Sequence, residues 1–321
     1  MGMGWIPDPG ALDLLLTPRG PFAAPACRNA VVQAGLGWRD LSVGGVLEDG
    51  TRAALPLLAA GRSGDSLPFG YGGIVATRKL SALETSTFLE MVARQGGLRV
   101  VSVRAIPPLG AIPAHAGGTV IASTHLVPLD PMSEPARAFA PKAAQSIRRA
   151  IHAGCEVRVG ADPRAALTLY RDAAAARRIR YPDVLVRLLA EAGVAFFYDV
   201  WIGTDPIATV VTLRNQDHWM YWIAAQNALG RKVEAGYLAL SRMIQDAHAA
   251  GAQAVNLGAS AGLPGVAMFK RRLGGIEVPV IEYRFMSRLA RWSPSGRITR
   301  RVRASARRVL RARASVGLGG A

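Results

Sequence analysis

Ala195-Phe-Phe-Tyr-Asp-Val-Trp-Ile202, Ile207-Ala-Thr-Val-Val-Thr-Leu-Arg214 and His218-Trp-Met-Tyr-Trp-Ile-Ala-Ala225 are three short runs rich in β-branched and aromatic residues. Gly203-Thr-Asp-Pro206 joins the first to the second, and Asn215-Gln-Asp217 joins the second to the third. Polar turn residues between such runs predict three antiparallel strands in sequence.

Working upstream, Pro141–Ala153 predicts a basic helix carrying Lys142, Arg148 and Arg149, stopped by Gly154, with a strand at Cys155–Val159. Asp162-Pro163 caps a helix to about Arg178, and Tyr181-Pro-Asp183 opens another that ends at Gly193. Downstream, Glu234–Ala250 predicts a helix, Ala254–Leu257 a strand, Val266–Arg272 a short helix and Val278–Phe285 a last strand.

The first third reads less regularly. Ala53–Leu58 and Leu98–Arg104 predict strands, with Thr124–Leu129 as a further short one. Ser81-Ala-Leu-Glu84 is a capping box opening a helix to about Gln95, before Gly96-Gly97. Pro107, Pro108 and Pro113 mark a loop. Pro128, Pro131 and Pro135 mark a boundary, which divides the chain into 1–132, 133–285 and a tail, 286–321.

No apolar run approaches the roughly 20 residues that span a bilayer; Val194–Ile202 is interrupted by Asp199. Met1–Ile6 has no basic region and Leu14–Leu16 is too short for a signal-peptide core, so the expected location is the cytoplasm. Cys27 and Cys155 make no disulfide framework and have no metal-ligand spacing. The formal charge is +17, and ten of the 39 basic residues lie in the tail without an acid among them. Ile298, Val302, Ala306 and Leu310 form a helical stripe among these arginines. Such a tail suits an anionic membrane at its inner face, or RNA phosphates, or it is a solvated extension.

The element order of the second segment resembles that of GNAT N-acyltransferases, whose strands splay beyond the third meander strand to admit an acyl donor. Three stretches narrow the resemblance to Fem-like transferases. These are Leu67-Pro-Phe-Gly-Tyr-Gly-Gly73, the basic stretch Ser146-Ile-Arg-Arg-Ala-Ile-His-Ala-Gly154, and Val255-Asn-Leu-Gly258 followed by Phe269-Lys-Arg-Arg-Leu-Gly-Gly275. The resemblance implies an α/β (α+β) chain of two GNAT-like domains, the first a degenerate copy, with mixed sheets flanked by helices. It implies acyl transfer to an amine. The donor is aminoacyl-tRNA in Fem enzymes proper and acyl-CoA in others of the same fold, a co-substrate in either case; no tightly bound cofactor and no metal is implied.

The resemblance places Lys270 at the reacting centre. A cation there would stabilise the oxyanion that forms when an amine attacks an ester or thioester; the plainer alternative is a solvated helix lysine beside Arg271 and Arg272. Tyr237, at the start of a helix, could donate to the leaving group. Phe269 and Tyr221 are core residues or walls of the substrate site, and Gly258 allows close approach of backbone to ligand or belongs to a surface loop. Tyr71, set among glycines, could hold the acceptor or pack in the core. The donor loop would run Gln226-Asn-Ala-Leu-Gly230-Arg-Lys-Val-Glu-Ala-Gly236, with Gln226, Gly230, Arg231, Lys232 and Gly236 as anion-binding positions. It is one residue longer than the (Q/R)-x-x-G-x-(G/A) form of CoA users, and Glu234 puts an anion where phosphate would sit. Asp199, Glu234, His125 and His218 are conceivable bases.

Three functions follow. The leading one is a Fem-like aminoacyltransferase acting on a peptidoglycan precursor of the cell envelope. An acyl-CoA-dependent N-acetyltransferase acting on an amino sugar or small amine is second. A non-catalytic RNA- or membrane-binding GNAT-like protein is third, and the Phe269–Gly275 motif argues against it.

Overall fold

The computed structural model describes residues 5–16, 23–66, 72–106, 118–160, 162–174, 181–260 and 262–287. Tyr71, most of the Leu67–Gly73 stretch, the Pro107–Pro113 loop and the tail beyond Ser287 lie outside them. Two compact units are present, Ala122–Val278 and the residues before it together with those from Pro279 on. The boundary expected at 132/133 falls within the range of the second unit.

The first unit contains β1 (Ile6–Pro7), α1 (Pro9–Leu16), α2 (Pro25–Gln33), β2 (Arg39–Asp40), β3 (Val43–Val46), β4 (Arg52–Leu55), β5 (Leu58–Ala60), β6 (Ser63–Asp65), β7 (Val75–Ala76), α3 (Ala82–Gln95) and β8 (Val100–Ala105). One sheet has the order β1-β3-β4-β7. In another arrangement β2, β5, β6 and β8 are successive neighbours, with β6 and β8 parallel. The strand expected over Ala53–Leu58 is two strands, because Pro56 has no N–H to give a ladder and divides β4 from β5. The capping box forms as expected: Glu84 N donates to Ser81 Oγ at 3.2 Å, and Ser81 N donates to the Glu84 carboxylate at 2.7 Å. Phe88, Leu89 and Val92 of α3 pack fully buried with Leu55, Leu57 and Val101.

The second unit holds most of β9 (Thr119–Pro128), then α4 (Pro141–His152), β10 (Cys155–Gly160), α5 (Arg164–Ala174), α6 (Asp183–Glu191), β11 (Ala195–Ile202), β12 (Asp205–Arg214), β13 (His218–Gln226), α7 (Ala228–Lys232), α8 (Ala235–Ala249), β14 (Ala254–Asn256), α9 (Pro264–Arg272) and the start of β15 (Ile276–Met286). Its strands run in the order β10-β11-β12-β13-β14-β9. The meander pairs antiparallel throughout, and β13 to β14 is the parallel step. Alternation puts Tyr198, Val200 and Val210 on the face packed against Leu240, Met243 and Ile244 of α8. The helix α7 is an element the sequence reading did not expect. It forms because Asn227 caps it, Gly230 N donating to Asn227 Oδ1 at 2.9 Å.

Candidate active site

The parallel ladder between β13 and β14 covers His218–Met220 against Ala254–Asn256 and ends there. Tyr221 and Leu257 are therefore the first residues beyond the pairing, and the groups singled out above collect at this point.

Lys270 sits in the last turn of α9 and is 2% exposed. Its Nζ donates to the carbonyl oxygens of Gly258 at 2.9 Å and Ala259 at 2.8 Å, and lies 5.7 Å from the centre of the Tyr221 ring. Burial pushes its pKa down to about 8, because the charged form loses hydration. A buried ammonium held by two carbonyls is not a solvated helix lysine, even though Arg271 beside it is exposed. An ammonium carries three N–H donors, so one remains for a substrate oxygen.

Gly258 adopts φ of 73°, where a side chain is strained, and this turns its carbonyl toward Lys270. Its amide donates to Asn256 Oδ1 at 2.8 Å, and Thr124 Oγ1 donates to the same oxygen at 2.6 Å. Asn256 and Thr124 thus position the loop that positions Lys270. Asn256 stood inside the quoted Val255–Gly258 motif without being singled out, since a lone Asn in a strand carries no catalytic pattern. His125 is fully buried behind this loop, its Nδ1 3.5 Å from Ser260 Oγ. Desolvation, and then the charge of Lys270, push its pKa down.

A second group stands one residue away along α9. The rings of Phe269 and Tyr237 meet edge to face at 4.5 Å, and Arg272 Nη1 donates to the Tyr237 hydroxyl at 3.4 Å. Gly236, in the first turn of α8, faces Gln226 Oε1 and Phe269, so a methyl group there would reach both at ordinary contact distance. Gln226 Oε1 is buried without a hydrogen-bond partner.

The expected anion-binding positions do not act alike. Gly230 is buried, its amide is taken by Asn227, and a β-carbon on it would lie 2.3 Å from the Ile207 carbonyl oxygen. Its lack of a side chain lets α7 pack against β12. Arg231 and Lys232 are exposed, with Arg231 Nη1 donating to the Gln226 carbonyl at 2.9 Å. Glu234 is left-handed, with φ of 60°, and its carboxylate pairs with Arg149 of α4 at 3.0 Å. It makes no side-chain cap on α8, and Arg149 neutralises the anion that the sequence put in the donor's way. Of the conceivable bases, His218 lies where the β13–β14 ladder begins, and Asp199 lies on the sheet face opposite α8. Among the described residues no group of His, Cys, Asp and Glu could hold a metal ion, and no helix is long and apolar enough to cross a membrane.

Residues 138–271 match the family model of an acetyltransferase (GNAT) domain. The chain carries a GNAT-type acyltransferase domain and is an acyltransferase. Its architecture is the Fem-like one. The crystal structure of FemX superposes with a TM-score of 0.61 at 12% identity, covering 81% of this chain and 90% of that one. L-PGS from Bacillus licheniformis gives 0.56 at 11% identity, covering 97% and 99%. A tandem GNAT protein from the clavulanic acid biosynthesis pathway gives 0.51 at 14% identity, covering 92% and 100%. These likenesses bear out the fold expected from the sequence. No curated protein matches the chain.

Proposed function

We propose that this protein transfers an aminoacyl group from aminoacyl-tRNA to an amine of a cell-envelope precursor, with Lys270 as the oxyanion-stabilising catalytic residue. The observation that carries the reading is the buried ammonium of Lys270, held by two carbonyls where the β13–β14 ladder ends. The acceptor amine attacks the ester carbonyl and a C–N bond forms. The carbonyl oxygen gains negative charge beside the remaining N–H of Lys270, a stabilisation of roughly 3 kcal/mol for such a donor. The carbon–oxygen bond to the carrier then breaks. The proton lost by the amine balances the one gained by the leaving oxygen, and in this reading Tyr237 donates it. Because Arg272 already donates to the Tyr237 oxygen, the phenol hydrogen is free to point elsewhere.

The carrier must be rich in phosphate. Arg231 and Lys232 of α7 and Arg271 and Arg272 of α9 belong to elements around the start of α8, where Arg272 reaches the Tyr237 hydroxyl. A phosphate backbone binds such a rim by releasing counterions. The folding of the donor loop into α7, with Gly230 committed to packing, favours a tRNA ester over a CoA pyrophosphate. Acyl-CoA is the second reading: with Glu234 turned to Arg149, the first turn of α8 has no side-chain cap and suits a phosphate. In either case the Arg-rich tail would hold the enzyme at an anionic membrane surface near a lipid-linked acceptor. Binding of charged tRNA and of acyl-CoA to the purified protein, measured side by side, tests the donor. Tight, salt-sensitive binding of tRNA alone supports the first reading; binding of acyl-CoA alone replaces it with the second.

A further inference from the structure

On the sheet face away from α8, one buried acid is left over by the mechanism above. Asp199, in the middle of β11, is 7% exposed, and its Oδ1 has no hydrogen-bond partner. Its cross-strand neighbour on β10 is Arg158, yet that guanidinium lies over the Trp201 ring at 4.6 Å and donates to the Gly203 carbonyl at 3.0 Å. The carboxylate is thus without an ion-pair partner among the described residues, although an arginine stands opposite it.

Trp201, two residues along the same face, has a buried Nε1 that also finds no acceptor. Thr209, the register partner of Asp199 on β12, brings a hydroxyl beside the carboxyl. The register of β11 on β12 shifts between Val200 and Trp201, where Ile207 of β12 is the extra residue; β11 itself stays regular against β10 and keeps Asp199 and Trp201 on one face. Desolvation pushes the Asp199 carboxyl up to about 6, with the Thr209 hydroxyl drawing it back part way and the charge of Asp162 adding to the rise. A buried acceptor and a buried donor left without partners lose their hydration without compensation, and a ligand satisfying both would restore it.

The complement of this arrangement is a small group with a cationic donor for Asp199 and Thr209 and, next to it, an oxygen acceptor for the Trp201 N–H. Residues two apart on a strand are about 7 Å apart, which a two-carbon amino alcohol bridges. The row is also in place for an acceptor. Asp199 pairs with Thr209 and Thr209 with Ala225, one residue before the end of β13, where the donor loop begins.

We propose that Asp199, Thr209 and Trp201 form a subsite for an ammonium flanked by an oxygen, the 1,2-amino-alcohol pattern of an amino sugar or a similar acceptor head group. As an acceptor subsite it rests on the acyl-transfer reading, but its binding does not.

The probe is ethanolamine, with ethylamine and ethylene glycol as controls that lack the oxygen or the charge. In the full-length protein carrying carboxyl-labelled aspartate, saturating ethanolamine is expected to move the Asp199 titration midpoint down from near 6, because a neighbouring cation favours the carboxylate. Asp199→Asn is expected to weaken ethanolamine binding at least tenfold. Thr209→Val is a milder second variant, expected to weaken it about threefold. Lys270→Ala is expected to bind ethanolamine as the wild type does, so loss of transfer with binding intact would count against the function and not the subsite. An unmoved midpoint in the wild type, or equal binding by ethylene glycol, overturns the subsite whatever the variants do.

Discussion

Lys270 Nζ stands 2.9 Å from the carbonyl oxygen of Gly258, and that carbonyl faces the ammonium because Gly258 is left-handed. The lysine and the glycine come from different elements, so the geometry of one depends on the backbone of the other.

Burial lowers the Lys270 pKa to about 8, so its charge is lost within an accessible range. If the ammonium is the catalytic form, kcat should fall as pH rises through about 8. A pH–rate profile between 6 and 10 checks this, and a flat profile across 8 would argue for a neutral lysine. Stability moves the other way. Lysine unfolded titrates near 10.5, above its folded value, so between the two the unfolded chain binds more protons and stability rises with pH. The cost of burying the charge is fully present below about 8 and gone above 10.5.

Gly258→Ala should cost roughly 1–2 kcal/mol of stability from the left-handed backbone alone. The new methyl would stand 3.5 Å from the Tyr221 carbonyl and 3.8 Å from Lys270 Nζ, without a clash. Relaxation away from φ of 73° would turn the carbonyl off Lys270, so turnover should drop more than tenfold in a protein that remains folded. A thermal melt beside initial rates separates the two effects.

Gly230→Ala should behave as a packing defect. Its β-carbon would lie 2.3 Å from the Ile207 carbonyl, forcing α7 off β12 at about 1–3 kcal/mol. A lowered Tm in the absence of donor is the expected result. An unchanged Tm with a raised donor KM would return Gly230 to the donor site.

Lys232→Glu should raise the donor KM about fivefold or more and leave kcat within twofold, since the side chain is exposed and lies on the rim. Salt should weaken wild-type donor binding more steeply than that of the variant. Steady-state kinetics at two ionic strengths decide it.

The second unit was legible because its signals are local. Alternating runs and polar turns define the meander, and Asp183 opens a helix where the pattern begins, whereas α9 starts at Pro264, two residues before the expected Val266. The first unit was harder: Pro56 broke a run that read as one strand, and α1 and α2 were not expected at all, although Asp8-Pro9 opens α1, the Gly10 amide donating to Asp8 Oδ1 at 3.0 Å. Candidate site residues stood out in the sequence where a motif held them, as with Phe269-Lys270. They did not where only tertiary contact gives them meaning. Nothing in the sequence indicates that Asn256 holds Gly258, that Gly230 touches Ile207, or that Arg149, 85 positions upstream, neutralises Glu234.

The central claim is that Lys270 carries the chemistry of an N-acyl transfer. The most direct measurement is single-turnover transfer from pre-bound donor to a saturating amine, comparing wild type with Lys270→Ala after both are shown to be folded. A loss of about a hundredfold or more in the transfer step, with donor affinity within threefold, is the predicted result. Transfer by the folded variant at near the wild-type rate would contradict the account.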